Sequence, residues 1–111
     1  MDRLATYQDI IKRILREYAQ WKPTYGEIEV ETVFDDVQGH YEMLYIGWEG
    51  RRRVHGTVIH VDIRNGKVWI QFDGTESGIT EELVAAGIPR EHIVLGFHSP
   101  QKRKRTPYAV Q

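Results

Sequence analysis

The sequence predicts an α+β domain: an antiparallel sheet of four to five strands, an N-terminal amphipathic helix packed on one face, and a second short helix. Three observations predict it. The first twenty residues repeat their apolar positions at helical spacing. From Glu27 the period changes to two, and four strand-like segments separated by turn signals follow one another. A further helix-like segment with its own stop signal follows the last of these.

The helix is predicted over Asp2 to Trp21. Leu4, Tyr7, Ile11, Ile14 and Tyr18 form its apolar stripe, widened by Ile10 and Leu15, and Arg3, Asp9, Lys12, Arg13, Arg16 and Glu17 occupy the other face. Asp2 can cap the first turn and Pro23 marks the stop. Acidic residues mixed with the basic ones favour packing on a core over lying on a membrane. In the first strand Ile28, Val30, Thr32 and Phe34 alternate with Glu27, Glu29, Glu31 and Val33. Asp35 to Gly39 supplies a turn, His40 to Trp48 a second strand, and Gly47 to Gly50 the next reversal. Arg53 to Arg64 and Lys67 to Asp73 are the third and fourth strands. Between them Asn65-Gly66 is a strong hairpin signal, because both residues tolerate the positive φ of a type I′ turn.

A two-residue loop pairs Arg64 with Lys67, Asp62 with Trp69, His60 with Gln71, and Val58 with Asp73. Ile59, Val61, Ile63, Val68, Ile70 and Phe72 then make an apolar face for the helix to cover. Val58, His60, Asp62, Arg64, Lys67, Trp69, Gln71 and Asp73 make the outer face. Beyond Gly74, Ser77 is a possible helix cap, Glu81 and Glu82 suit the positive helix end, and Ile79, Leu83, Val84 and Ala86 face inward. Gly87 closes that helix, Pro89 to His92 makes a brief helical turn, and Ile93 to Phe97 is a fifth strand or extended segment. The tail is basic, yet ends in Tyr108-Ala109-Val110, too apolar to be frayed. No linker divides the chain, so residues 1–111 are read as a single domain.

Composition narrows the function classes. Fifteen Lys and Arg against sixteen Asp and Glu leave a net charge of −1, without the basic excess of a stand-alone nucleic-acid binder. The absence of cysteine excludes disulfides, thiolate metal sites and a Cys nucleophile. The charged N-terminus has no signal-peptide core and no apolar run approaches a membrane span, so a soluble, cytoplasmic chain is expected.

Four kinds of chemistry are worth weighing. His60 and Asp62 share one strand face, and His40, His55, His92 and His98 lie elsewhere. A zinc site needs three or four converging ligands, and only these two can be placed together, so His60 is read as packing against Gln71 or Trp69. Asp62, Asp73, Glu76 and Lys67 have the residue types of a metal-dependent nuclease. Nothing, however, assembles a nucleophile, a base and an orienting group, and no catalytic residue or cofactor is expected. Arg51, Arg52 and Arg53, with Lys102, Arg103, Lys104 and Arg105, are candidates for phosphate contact. Lastly, Trp69, His60, Asp62 and Gln71, extended by Tyr41, Met43 and Tyr45 if the second strand continues that face, have the composition of a protein interface. The same residues would also suit a second core layer beneath the C-terminal segment, and the pattern leaves both open.

Several stretches carry a resemblance. Gly47-Trp48, Arg53-Val54-His55-Gly56, His60-Val61-Asp62-Ile63, Lys67 to Gln71, Asp73-Gly74-Thr75-Glu76, Ala86-Gly87-Ile88-Pro89, Ile93 to His98 and Thr106 to Val110 resemble, in order and from end to end, the signature series of the XisI family. These small cyanobacterial proteins are known as fdxN element excision controlling factors. They are associated with removal of a DNA element by a site-specific recombinase during heterocyst differentiation, often encoded beside a XisH-type partner. The resemblance, together with the lack of a converging catalytic site, leads to the expectation of a non-catalytic accessory role through such partners; self-association as a dimer is expected alongside it. It carries over no catalytic, cofactor-binding or metal-ligating residue. Direct DNA binding through the two basic segments is the alternative.

Overall fold

The computed structural model describes residues 3–111. Helix α1 (Arg3–Ala19) precedes strands β1 (Glu27–Asp35), β2 (His40–Glu49), β3 (Arg52–Arg64) and β4 (Lys67–Asp73). Then come α2 (Thr80–Ala85), a 3₁₀ turn (Arg90–His92), β5 (Ile93–Leu95) and a short α3 (Pro100–Arg103). One five-stranded sheet runs in the order β1-β2-β3-β4-β5. The first four strands are antiparallel, and β5 joins β4 in parallel. The parallel pair follows from the intervening α2, since parallel neighbours need a crossover connection. The expected α+β fold is present, with a mixed rather than wholly antiparallel sheet.

Helix α1 lays Tyr7, Ile10, Ile11, Ile14 and Leu15 on the sheet, whereas Leu4 stays 46% exposed. Burial of each such side chain contributes roughly 1.5–3 kcal/mol before the entropy of ordering it. They meet Tyr41, Met43, Ile59, Val61, Val68 and Ile70 from the sheet, and Ile79, Leu83, Ile88, Ile93 and Leu95 from the C-terminal part. The helix ends two residues before Trp21, where Gln20 and Trp21 donate to Glu17 and Tyr18 in a tightened last turn. The cap expected at Asp2 lies outside the described residues. Among the described residues no helix is long and apolar enough to cross a membrane.

The turns follow their side chains. Asp35 Oδ1 accepts from the amides of Val37 and Gln38, closing β1 onto β2. Asn65 (φ 52°) and Gly66 (φ 76°) adopt the positive-φ pair of the expected hairpin turn. The expected Ser77 cap is not used. Asp73 instead turns toward α2: its Oδ1 accepts from Thr75 and its Oδ2 from the amide of Ile79.

Two bulges change the register expected for the outer face. In β3–β4 the pairing runs as expected from Arg64↔Lys67 to Asp62↔Trp69, then Val61↔Ile70, and jumps to His60↔Phe72, leaving Gln71 as the extra residue. Phe72 therefore leaves the core face and is 48% exposed, while Asp73 lies opposite Ile59 rather than Val58. In β2–β3 the pairing jumps from Leu44↔Thr57 to Met43↔Ile59, leaving Val58 as the extra residue. Val58 consequently packs against the core instead of facing outward.

Candidate functional site

The outer face of the sheet carries the polar chemistry. His40 stands opposite Asp62, and Glu42 opposite His60, so four titratable side chains form a rectangle across β2 and β3. Asp62 sits at its buried corner, its side chain only 1% exposed, and the flanking imidazoles of His40 and His60 are 50% and 30% exposed.

The Asp62 carboxylate is fully engaged. Its Oδ1 accepts from His40 Nδ1 at 2.7 Å and His60 Nε2 at 2.8 Å, and its Oδ2 from Arg64 Nη2 and Gln71 Nε2, each at 3.2 Å. Burial is the largest influence and opposes ionisation. The hydrogen bonds from His40 and His60, the charge of His60 and the bond from Gln71 together outweigh it, and hold the carboxyl below its ordinary value. The bulge places Gln71 for this contact, and Gly96 leaves room for it, since a Cβ there would lie 2.6 Å from Gln71 Oε1. His60 Nδ1 is 3.9 Å from Glu42 Oε1, which accepts from the Thr57 hydroxyl.

Trp69, opposite Asp62, is flanked by two guanidiniums: Arg64 at 5.9 Å and Arg103 at 5.1 Å from its ring centroids. Arg103 also donates to the carbonyls of Leu95 and Val110, tying α3 and the terminus to the sheet. The terminal segment bridges to β5 through Val94 and Ala109, and Tyr108 packs on the core while donating to Glu81. The C-terminal segment thus covers the β5 end of the outer face, while His40, Trp48 and Phe72 remain half exposed.

The sequence-derived site residues separate into two sets. Trp69, His60, Asp62 and Gln71 lie close together, with His60 and Gln71 bonded to Asp62 and Trp69 opposite it. Tyr41 and Tyr45 do not join them: Tyr41 is fully buried on the α1 side and donates to Asp36, and Tyr45 packs on the same core. The Val58 bulge is the reason, because it shifts Tyr41 from opposite His60 to opposite Val61. His40 is the residue that sequence reasoning left out. Its signal was present in the sequence, but the strand pairing needed to place it was not.

The two basic segments are apart. Arg51 lies in the β2–β3 turn, Arg52 pairs with Glu49, and Arg53 stacks over Trp48 at 5.2 Å. Arg53 is nine residues along β3 from Asp62, roughly 30 Å in an extended strand. In the tail, Lys102, Lys104 and Arg105 are exposed, whereas Arg103 is committed to Trp69 and the terminus. Asp62 and Asp73 serve separate networks, so the residues of the nuclease reading do not converge.

These features define a small α+β protein with one sheet face covered by a helix and the other bearing a buried carboxylate beneath a histidine pair. The XisI protein family matches residues 1–110, and the chain belongs to the XisI family. It is similar to the crystal structure of a XisI-like protein from Anabaena variabilis ATCC 29413, with 41% identity, a TM-score of 0.91, and 97% of this chain and 99% of that one covered. It is also similar to the fdxN element excision controlling factor XisI from the same organism, with 34% identity, a TM-score of 0.86, and 99% and 100% covered. No curated protein matches the chain.

Proposed function

We propose that this protein is a non-catalytic accessory factor for excision of a DNA element of the fdxN type, acting in the cytoplasm as a dimer and through protein partners. The observation that carries this reading is the end-to-end likeness to the excision controlling factor from Anabaena variabilis, with essentially no part of either chain left over. Among the described residues, the ordered polar network sits on an open sheet face, and its carboxylate accepts hydrogen bonds from four of the chain's own side chains. A half-buried tryptophan held between two arginines, with exposed Phe72 paired to His60 on the neighbouring strand, has the composition of an interface centre. The partner of this reading is a XisH-type protein working with a site-specific recombinase. Size-exclusion chromatography with light scattering, on the chain alone and mixed with that protein, tests it. A stable mixed complex supports the reading, and elution of two unassociated species contradicts it.

The second reading is direct DNA contact through Arg51, Arg52, Arg53 and the exposed tail cations. It is weakened by the separation of the two segments and by the engagement of Arg52, Arg53 and Arg103 within the chain. Duplex affinity that falls steeply with salt, and is lost on changing Arg51–Arg53 to Ser, would favour it.

A further inference from the structure

We propose that His40, His60 and Asp62 form a binding site for a divalent transition-metal ion of the zinc or nickel type. One potential ligand atom from each of His40, His60 and Asp62 lies within 4.8 Å of the other two, on a single sheet face. Both imidazoles address the same carboxylate oxygen, at 2.7 and 2.8 Å, because Arg64 and Gln71 occupy the other one. Ligands 2.0–2.2 Å from a tetrahedral ion stand about 3.3 Å apart, so inserting the ion requires each imidazole to withdraw from Asp62 Oδ1 by about half an ångström. Partly exposed side chains can make that adjustment without disturbing the core.

The surroundings resemble those of metal-bound histidines. Glu42, itself held by Thr57, stands 3.9 Å from the second nitrogen of His60, outside hydrogen-bond reach as the ring now lies; a small shift of the ring toward it would bring an acceptor that fixes the tautomer and raises the ring's basicity. Arg64 and Gln71 orient the carboxylate from the far side. Two imidazoles and one carboxylate suit zinc, nickel or copper better than magnesium or calcium. His40 is half exposed, which gives the ion an approach and leaves a fourth position open to water. The ion would clip β2 to β3 on the outer face, replacing two hydrogen bonds with three metal bonds. This inference does not depend on the protein having a XisH-type partner.

Isothermal titration of chelator-treated, dialysed protein with zinc chloride at neutral pH tests the proposal. The expected result is one saturable site per chain. His40→Ala and His60→Ala should each weaken it by at least about tenfold. His55→Ala and His98→Ala should leave it unchanged. The His40 and His60 variants each remove one donor from Asp62 and should lower stability, but the rings project from the outer face and leave the core untouched, so the variants should fold; thermal unfolding without metal checks this. Absence of saturable binding up to millimolar zinc would overturn the proposal and leave a hydrogen-bonded cluster only. Binding that survives the loss of both His40 and His60 would overturn it equally.

Discussion

Asp62 Oδ1 stands 2.7 Å from His40 Nδ1, across a strand pair whose register at that point is set by the bulge at Val58. This contact joins β2 to a carboxylate that otherwise takes its partners from β3 and β4. A buried charge with four donors is stable only while the donors remain, so the cluster should be sensitive to single changes.

Asp62→Asn should therefore destabilise the fold by about 1.5–3 kcal/mol, because an amide offers one acceptor oxygen where four donors converge. Urea unfolding followed by circular dichroism measures this. A change within experimental error of zero would mean that the network contributes nothing net.

The same residue sets an acid limit. Its folded-state carboxyl titrates below the ordinary value of 3.8, so its contribution to stability is complete above about pH 4. It is lost as pH falls through the lower, folded-state value. The stability difference between wild type and Asp62→Asn should accordingly shrink below pH 4. A difference that grows with acidification would contradict the sign.

Tyr41 offers a contrast on the opposite face. Burial, then its hydrogen bond to Asp36, raises its phenol well above the ordinary range, so the group stays protonated and donates throughout the accessible pH range. Tyr41→Phe should cost about 1 kcal/mol through loss of that bond and leave partner binding unchanged. Loss of binding in a folded Tyr41→Phe protein would mean that the α1 side is the contact surface.

Arg103 ties the terminus down. Arg103→Ala removes its stacking on Trp69 and its bonds to Leu95 and Val110. Amide exchange at Ala109, which donates to Ile93, should then speed up by about fivefold to tenfold, as expected for losing roughly 1 kcal/mol of local stability. Unchanged exchange there would show that the Val94–Ala109 bridge and the packing of Tyr108 suffice.

Much of the architecture was legible in the sequence, because period and turn chemistry are local. The α1 stripe, the four strand segments and the Asn65-Gly66 turn could be read directly, and so could the pairing of Asp62 with Trp69. The faces were lost where the sheet stops being regular. Val68, Ile70 and Phe72 alternate straight through the Gln71 bulge, and nothing in their chemistry announces that Phe72 emerges on the other side. The Val58 bulge likewise shifts Tyr41 from opposite His60 to opposite Val61. A bulge is a property of two strands together, so composition along either one does not reveal it. His40 went unplaced for the same reason. The likeness to the XisI family was legible from end to end because short motifs in fixed order survive whatever the pairing does.

The most direct test of the accessory reading mixes this chain with the XisH-type protein and compares wild type with Trp69→Ala by light scattering after size exclusion. Wild type should form a stable mixed complex, weakened or lost for Trp69→Ala while circular dichroism shows an intact fold. A mixed complex equally strong in both would contradict the Trp69 face as the contact surface, and no complex with either would contradict the partner reading itself.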